Sequence, residues 1–129
     1  MNANAIPLAK KIAHAIGIEL TAHPEHWTQG ALVTFENGRD WKTGHEAQAP
    51  DAVCWCLEGF IFKYSPPSDI CLDCHEQARP VFGVFKEVLH GEIQRECSLS
   101  YWNDKIATSA QDVIDLCARV AVLPEGAEA

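Results

Sequence analysis

The sequence predicts a mainly α-helical fold, a single compact domain of four to five helices with a small β-hairpin near residues 31–43. Several segments carry apolar residues three or four positions apart, which is the period of an amphipathic helix. Asn37-Gly38 lies between two short strand-like runs and is the strongest hairpin signal in the chain. The 129 residues are 47% hydrophobic, which is enough for one core without disulfides. We therefore predict one helical domain over residues 1–124 and a frayed C-terminal tail over 125–129.

The first half of the chain predicts two helices. The first covers about residues 6–20, because an apolar stripe runs through Ile6, Ala9, Ile12, Ala13, Ile16 and Leu20. The second covers residues 50–64, because Pro50 suits the first turn of a helix and Pro66-Pro67 stops one. We expect the hairpin to lie between them and to lean on the helices, since two strands alone are barely stable.

The second half predicts two or three more helices. A short one extends from the N-cap Ser68 through Ala78, and Arg79-Pro80 breaks it. A strongly apolar helix follows and ends at Gly91. The last helix begins at the capping-box pattern Thr108-Ser109-Ala110-Gln111. The predicted core consists of Ile12, Ile16, Trp27, Val53, Leu57, Phe60, Phe82, Phe85, Val113, Leu116 and Val120.

Charge and composition exclude several classes of function. Ten Lys and Arg residues against eighteen Asp and Glu residues give a net charge of −8. Direct nucleic-acid binding is not expected, because a grip on phosphates needs clustered basic residues. No apolar run approaches the roughly 20 residues that span a bilayer, so no membrane partner is expected. The N-terminal residues carry no signal-peptide pattern, and we therefore expect a reducing cytoplasm.

The segment Cys71-Leu72-Asp73-Cys74-His75 matches the C-x-x-C-H pattern that attaches a c-type haem. Haem attachment takes place outside the cytoplasm, and no export signal is visible. The only methionine is Met1, so an axial methionine ligand is not expected either. These two observations argue against haem.

Zinc is the alternative for Cys71, Cys74 and His75, together with one distant ligand. Cys54 and Cys56 would join such a site only in an extended segment, because on a helix they lie about 200° apart. The leading interpretation has no cofactor and treats Cys54, Cys56 and Cys117 as small apolar core residues.

Two tryptophan-centred turns are the candidate binding residues: Trp27 with Gln29, and Trp102 with Asn103 and Asp104. Large rings beside amide and acidic groups are typical of interaction hot spots. The alternative is structural, with the tryptophans in the core and the polar side chains bonded to backbone groups. No catalytic residue is predicted, because the sequence contains no recognised catalytic motif. The histidines outside the cysteine segment do not follow a known pattern either: His14, His23, His26, His45 and His90.

Three motifs in this order resemble a small bacterial and phage family known only as a domain of unknown function. They are Trp27-Thr28-Gln29-Gly30-Ala31, Cys56-Leu57-Glu58-Gly59-Phe60 on a helix, and Trp102-Asn103-Asp104 before the final helix. The resemblance covers roughly residues 6–121 and departs from the family at Phe60, where alanine is usual, and at the cysteine-bearing segment 65–80. It implies the helical fold and a phage or mobile-element accessory role, without a reaction.

The leading hypothesis is a non-catalytic cytoplasmic interaction or accessory protein that binds a protein partner through its acidic surface. A phage inhibitor of a host protein belongs to this class. One alternative is a zinc-supported small domain built on Cys71, Cys74 and His75. The other is a small enzyme with a pocket around Trp27 and Trp102.

Overall fold

Five α-helices make up most of the chain that the computed structural model describes, which is residues 3–38, 40–41, 47–66, 77–93 and 97–124. The mainly α-helical prediction is confirmed. The helices are α1 (Ile6–Ala22), α2 (Leu57–Tyr64), α3 (Ala78–Ile93), α4 (Leu99–Tyr101) and α5 (Ala110–Ala121). The strands are β1 (Val33–Phe35), β2 (Asp40–Trp41) and β3 (Ala52–Trp55). None of the helices in these ranges is both long and apolar enough to cross a bilayer.

The long helices α1 and α5 pack against each other and form the main helix pair of the fold. Helix α1 confirms the predicted first helix, and its apolar stripe is buried at all six predicted positions. Helix α5 likewise buries Val113, Leu116, Cys117 and Val120. The period of apolar residues therefore identified the inward faces of both helices correctly.

The predicted hairpin is present as β1 and β2, which pair antiparallel with Val33 opposite Trp41. Gly38 in the connecting turn has a φ of 82°, a backbone conformation that glycine adopts without steric cost. A third strand, β3, pairs antiparallel with the other edge of β1, so the sheet order is β2-β1-β3. The sheet thus has one strand more than the sequence predicts.

The predicted helix over residues 50–64 is wrong in its first half. Residues 52–55 form β3, and α2 begins only at Leu57. Pairing with β1 satisfies the backbone of this segment, and the apolar spacing that suggested a helix carries no information about such a distant partner. Cys56 is the N-cap of α2, and its Sγ accepts a hydrogen bond from the Gly59 N–H at 3.4 Å.

The break predicted at Arg79-Pro80 is also wrong, because both residues lie in the first turn of α3. Proline is tolerated there, since the N–H that it lacks would have no intrahelical partner. Gly91 lies inside α3, which extends to Ile93. Most of the short helix predicted from Ser68 falls outside the described residues, as does the C-terminal tail.

The start of α5 differs from the predicted capping box by one residue. The N-cap is Ser109, and its side chain makes no capping hydrogen bond. Instead, Asp112 Oδ2 accepts hydrogen bonds from the Thr108 N–H at 2.8 Å and from Thr108 Oγ1 at 3.0 Å. The first turn of the helix favours a carboxylate at this place because its free N–H groups carry partial positive charge.

The core contains eight of the predicted core residues as buried side chains: Ile12, Ile16, Leu57, Phe60, Phe85, Val113, Leu116 and Val120. Trp27, Val53 and Phe82 are only partly buried. Phe35 and Trp55 are buried although the sequence did not single them out. Both lie on strands, where side chains alternate between the two faces of the sheet.

Candidate functional site

The two predicted binding motifs contact each other. Trp27 Nε1 donates a hydrogen bond to Asn103 Oδ1 at 2.7 Å. Gln29 Nε2 donates to the carbonyl oxygens of Asn103 at 2.9 Å and Ala107 at 3.1 Å. The Gly30 N–H donates to Asp104 Oδ1 at 2.9 Å. We call these residues the Asn103 network, which ties the segment after α1 to the π-helical turn Trp102–Ile106.

Asn103 is the centre of this network and is 0% exposed. Its Oδ1 also accepts from the Leu57 N–H at 3.0 Å, which is one of the unpaired donors at the start of α2. Its Nδ2 donates to the Thr28 carbonyl at 3.0 Å and to Asp104 Oδ1 at 2.9 Å. The hydrogen-bonding positions of this fully buried amide are therefore used inside the chain.

The outer members of the Asn103 network differ in exposure. The neighbouring Trp102 is not a member of the network and is 5% exposed. Gln29 is exposed, and Trp27 and Asp104 are partly buried. Their donors and acceptors are largely used inside the chain. The structural alternative for the two turns therefore explains their polar atoms, and a binding role for the exposed members stays a prediction.

The predicted metal ligands Cys71, Cys74 and His75 lie outside the described residues. In the part of the chain that the structure does describe, Cys54, Cys56, Cys97 and Cys117 are free thiols. Burial raises the pKa of Cys117 to about 12, and it also raises that of Cys56 to about 12. A buried thiol of this kind stays protonated and is a poor nucleophile, which confirms Cys56 and Cys117 as core residues. The same prediction is wrong for Cys54, which is only partly buried.

A second polar cluster was not predicted from the sequence. The Glu19 carboxylate, whose side chain is 10% exposed, accepts from Lys63 Nζ at 2.6 Å and from the Tyr64 hydroxyl. Its other oxygen lies 2.7 Å from His26 Nδ1. Lys63 Nζ also lies 3.6 Å from the centre of the Trp55 ring, a cation–π contact. We call Glu19, His26, Lys63 and Tyr64 the Glu19 cluster.

The electrostatics of the Glu19 cluster follow from these contacts. Burial alone would raise the pKa of Glu19, but the hydrogen bonds from Lys63, Tyr64 and His26 together lower it below its ordinary value of 4.5. Burial and the neighbouring carboxylate raise the pKa of Tyr64. Glu19 is therefore ionised at neutral pH, and Tyr64 is a permanent donor to it. No sequence pattern marks this cluster, except that Glu19 directly precedes Leu20 of the apolar stripe.

Replacing Glu19 by glutamine should lower the free energy of unfolding at pH 7 by about 2 kcal/mol, because hydrogen bonds to a charged group are lost. The folded pKa lies below the unfolded one, so this stabilisation is complete above about pH 5 and is lost as pH falls through the folded pKa. The difference between the two proteins should therefore shrink at acid pH. Urea unfolding at pH 7 and pH 3 measures it. Glu36→Gln, at an exposed glutamate, is the matched control. A difference between Glu19→Gln and the wild type that does not change with pH would contradict the role of the ionised Glu19 carboxylate in stabilising the fold.

An apolar groove lies between α1 and α5 and has a volume of about 510 Å³. It is lined mainly by small and apolar residues: Ala13, Gly17, Ile18, Ala22, Ile114, Ala118, Ala121 and Val122. Ile18 is 59% exposed and Val122 is 79% exposed, unusually high values for large apolar side chains among the described residues. A Cβ atom built on Gly17 meets nothing within 4 Å, so the floor of this α1–α5 groove is open.

The fold and these sites define a small, mainly α-helical domain with two internal polar clusters and an open apolar groove. The chain belongs to DUF6197, a family of unknown function whose profile matches residues 19–123. The predicted resemblance to a family of unknown function is thereby confirmed. Neither a curated protein nor a solved structure gives a significant match to the chain.

Proposed function

We propose that this protein is a non-catalytic interaction module that binds a protein partner through the α1–α5 groove. The groove carries the proposal, because contiguous exposed apolar surface on a soluble domain is typical of an interaction site. Its length along two packed helices suits an amphipathic helix of the partner, whose apolar side chains would lie against Ile18 and Val122. In this proposal the binding surface lies outside the Asn103 network.

The charge of the chain supports a partner with basic residues. A net charge of −8 attracts positively charged segments and accelerates their association. The occupant that we propose is therefore an amphipathic helix with a basic polar face. A host protein bound by a mobile-element inhibitor would be one such partner.

We also propose the cytoplasm as the place of action. The four described cysteines are free thiols, and a reducing compartment keeps thiols in that state.

Filling the groove should weaken binding of the partner at least tenfold without harming the fold. Gly17→Leu puts a side chain onto the open floor of the groove, and it should also raise helix stability by up to about 1 kcal/mol, because glycine is a poor helix former. Gly91→Leu is the matched control, since Gly91 is an exposed glycine of α3 with open space around its Cβ position. Both variants should unfold at or above the wild-type urea concentration.

The binding probe is a fluorescent 14-residue helix of leucine and lysine, compared with a leucine and glutamate helix of the same apolar face. We expect fluorescence anisotropy to show that the basic peptide binds the wild type and Gly91→Leu equally well. It should bind Gly17→Leu at least tenfold more weakly, which is a loss of about 1.4 kcal/mol or more. Equal binding to both variants would refute the proposal that the α1–α5 groove is the binding site. Dimerisation of the wild type that Gly17→Leu removes would assign the groove to a second copy instead.

A further inference from the structure

We propose that His23, Glu25 and His26 bind a divalent transition-metal ion, and that Zn²⁺ is the ion their chemistry suits best. The three residues lie at the end of α1 and in the short 3₁₀ turn Pro24–His26 that follows it. Each offers one ligand atom, and these atoms all lie within 4.8 Å of one another. This site is separate from the α1–α5 groove and does not depend on the proposed function.

The backbone of the turn already holds the three side chains together. The His23 N–H donates to the Glu19 carbonyl at 2.7 Å, and the His26 N–H donates to the His23 carbonyl at 3.0 Å. Glu25 Oε2 lies 3.3 Å from His23 Nδ1 and 4.0 Å from His26 Nε2. Ligand atoms around a tetrahedral zinc ion lie about 3.3 Å apart, since each bond is about 2.0–2.1 Å long. The His23 and Glu25 side chains are exposed, so they are free to rotate to this spacing around an ion.

The Glu19 cluster supplies the support that metal-binding histidines usually have. Glu19 Oε2 lies 2.7 Å from His26 Nδ1, and a carboxylate only accepts hydrogen bonds. Nδ1 therefore carries a proton, which leaves Nε2 as the free ligand atom on the side of Glu25. Zinc sites commonly use this carboxylate–histidine pair to fix the ring and raise its basicity. An edge-on contact between the His26 and Trp55 rings, with centres 5.9 Å apart, further orients the imidazole.

The donor set determines the class of ion. Two imidazole nitrogens and one carboxylate oxygen suit Zn²⁺ and its transition-metal neighbours, whereas Ca²⁺ and Mg²⁺ prefer oxygen ligands alone. Three protein ligands leave one tetrahedral position for water. The two histidine rings are stacked, with centres 4.7 Å apart and planes inclined by 12°. An ion lies in the plane of each imidazole that binds it, so the exposed His23 ring must turn out of this stack to share an ion with His26.

The test is a titration of the untagged full-length chain with Zn²⁺ alone, followed by calorimetry, and with Co²⁺ alone, followed by visible absorption. Both the wild type and Cys71→Ser/Cys74→Ser should bind one equivalent, because the proposed ligands exclude the C-x-x-C-H segment. His26→Gln and Glu25→Gln should each weaken binding by more than tenfold. Glu19→Gln should weaken it by about 10–100-fold through loss of the support to His26. The exposed His14→Gln is the matched control and should bind like the wild type.

Three results would overturn the proposal. The first is no binding of either ion to the wild type. The second is binding that Cys71→Ser/Cys74→Ser abolishes, or a thiolate-to-cobalt charge-transfer band, either of which would assign the ion to cysteines. The third is equal affinity of His14→Gln and His26→Gln, with circular dichroism showing that both are folded.

Discussion

Asn103→Ala should lower the free energy of unfolding by about 4 kcal/mol, because the substitution leaves several buried polar groups without partners. Asn103 Oδ1 accepts from both Trp27 Nε1 and the Leu57 N–H, and Nδ2 donates to the Thr28 carbonyl. Each unsatisfied buried group costs about 1–3 kcal/mol. The side chain also joins three separate parts of the chain, so no local rearrangement replaces it.

Urea unfolding followed by circular dichroism measures this loss. Gln111→Ala is the matched control, because Gln111 is an exposed amide whose bond to Asp115 lies on the surface of α5, and it should change stability by less than about 0.5 kcal/mol. Asn103→Asp keeps the shape but removes the donor to Thr28 and puts a carboxylate beside Asp104. It should be strongly destabilised at pH 7 and partly restored at acid pH, where the new carboxyl is protonated. A loss below about 1 kcal/mol for Asn103→Ala would contradict the structural role of the Asn103 network and favour a binding role.

Gly59→Ala should be destabilising by about 3 kcal/mol, although alanine is the better helix former. A Cβ atom at Gly59 would lie 2.0 Å from the Leu32 carbonyl oxygen and 3.1 Å from its carbonyl carbon. Both are backbone atoms, so the contact is not relieved by rotating a side chain. Helix α2 would have to move away from the segment before β1, and the hydrogen bond from the Cys56 N–H to the Leu32 oxygen, at 3.2 Å, would be lost.

Gly83→Ala provides a control of opposite sign. Gly83 lies inside α3, and a Cβ atom there meets nothing within 4 Å. The same change should therefore stabilise the protein by up to about 1 kcal/mol. Thermal unfolding of the two variants compares them directly. If both shift the midpoint in the same direction, the close approach of α2 to Leu32 is not what requires glycine at position 59.

The fold class and several of its elements could be predicted because they depend on residues close together in sequence. The apolar residues of α1 are spaced about one helical turn apart, and all six of them are buried. The Asn37-Gly38 turn depends only on the ability of these two residues to form a tight hairpin turn, in which Gly38 adopts a positive φ. The helix predicted over 50–64 failed for the converse reason. Its first half pairs with β1, about twenty positions away, and local spacing does not report that partner.

The candidate site residues were found in the sequence, and the structural alternative predicted that their polar side chains bond to backbone groups, but not that the two turns bond to each other. Trp27, Gln29, Asn103 and Asp104 stood out as polar and aromatic residues in two turns, and the hypothesis of a binding surface treated each turn separately. In the structure the turns bond to each other across 74 to 76 positions. The histidines His23 and His26 lacked a recognised motif, because the carboxylate that orients His26 lies in the preceding helix.

The helical class, the inward faces of α1 and α5, the hairpin turn and the acidic charge can all be read from the amino-acid sequence alone. These properties follow from composition and from periods of a few residues. Long-range packing, by contrast, makes residues 52–55 a strand, buries Asn103 between two turns, and brings Lys63, Tyr64 and His26 to Glu19. The hydrogen bond from Tyr64 to Glu19 joins residues 45 positions apart, and the hydrogen bond from the Leu57 N–H to Asn103 joins residues 46 positions apart. Such contacts form when packing brings side chains that are distant in sequence into the same buried, low-dielectric environment. Local sequence preferences do not predict them.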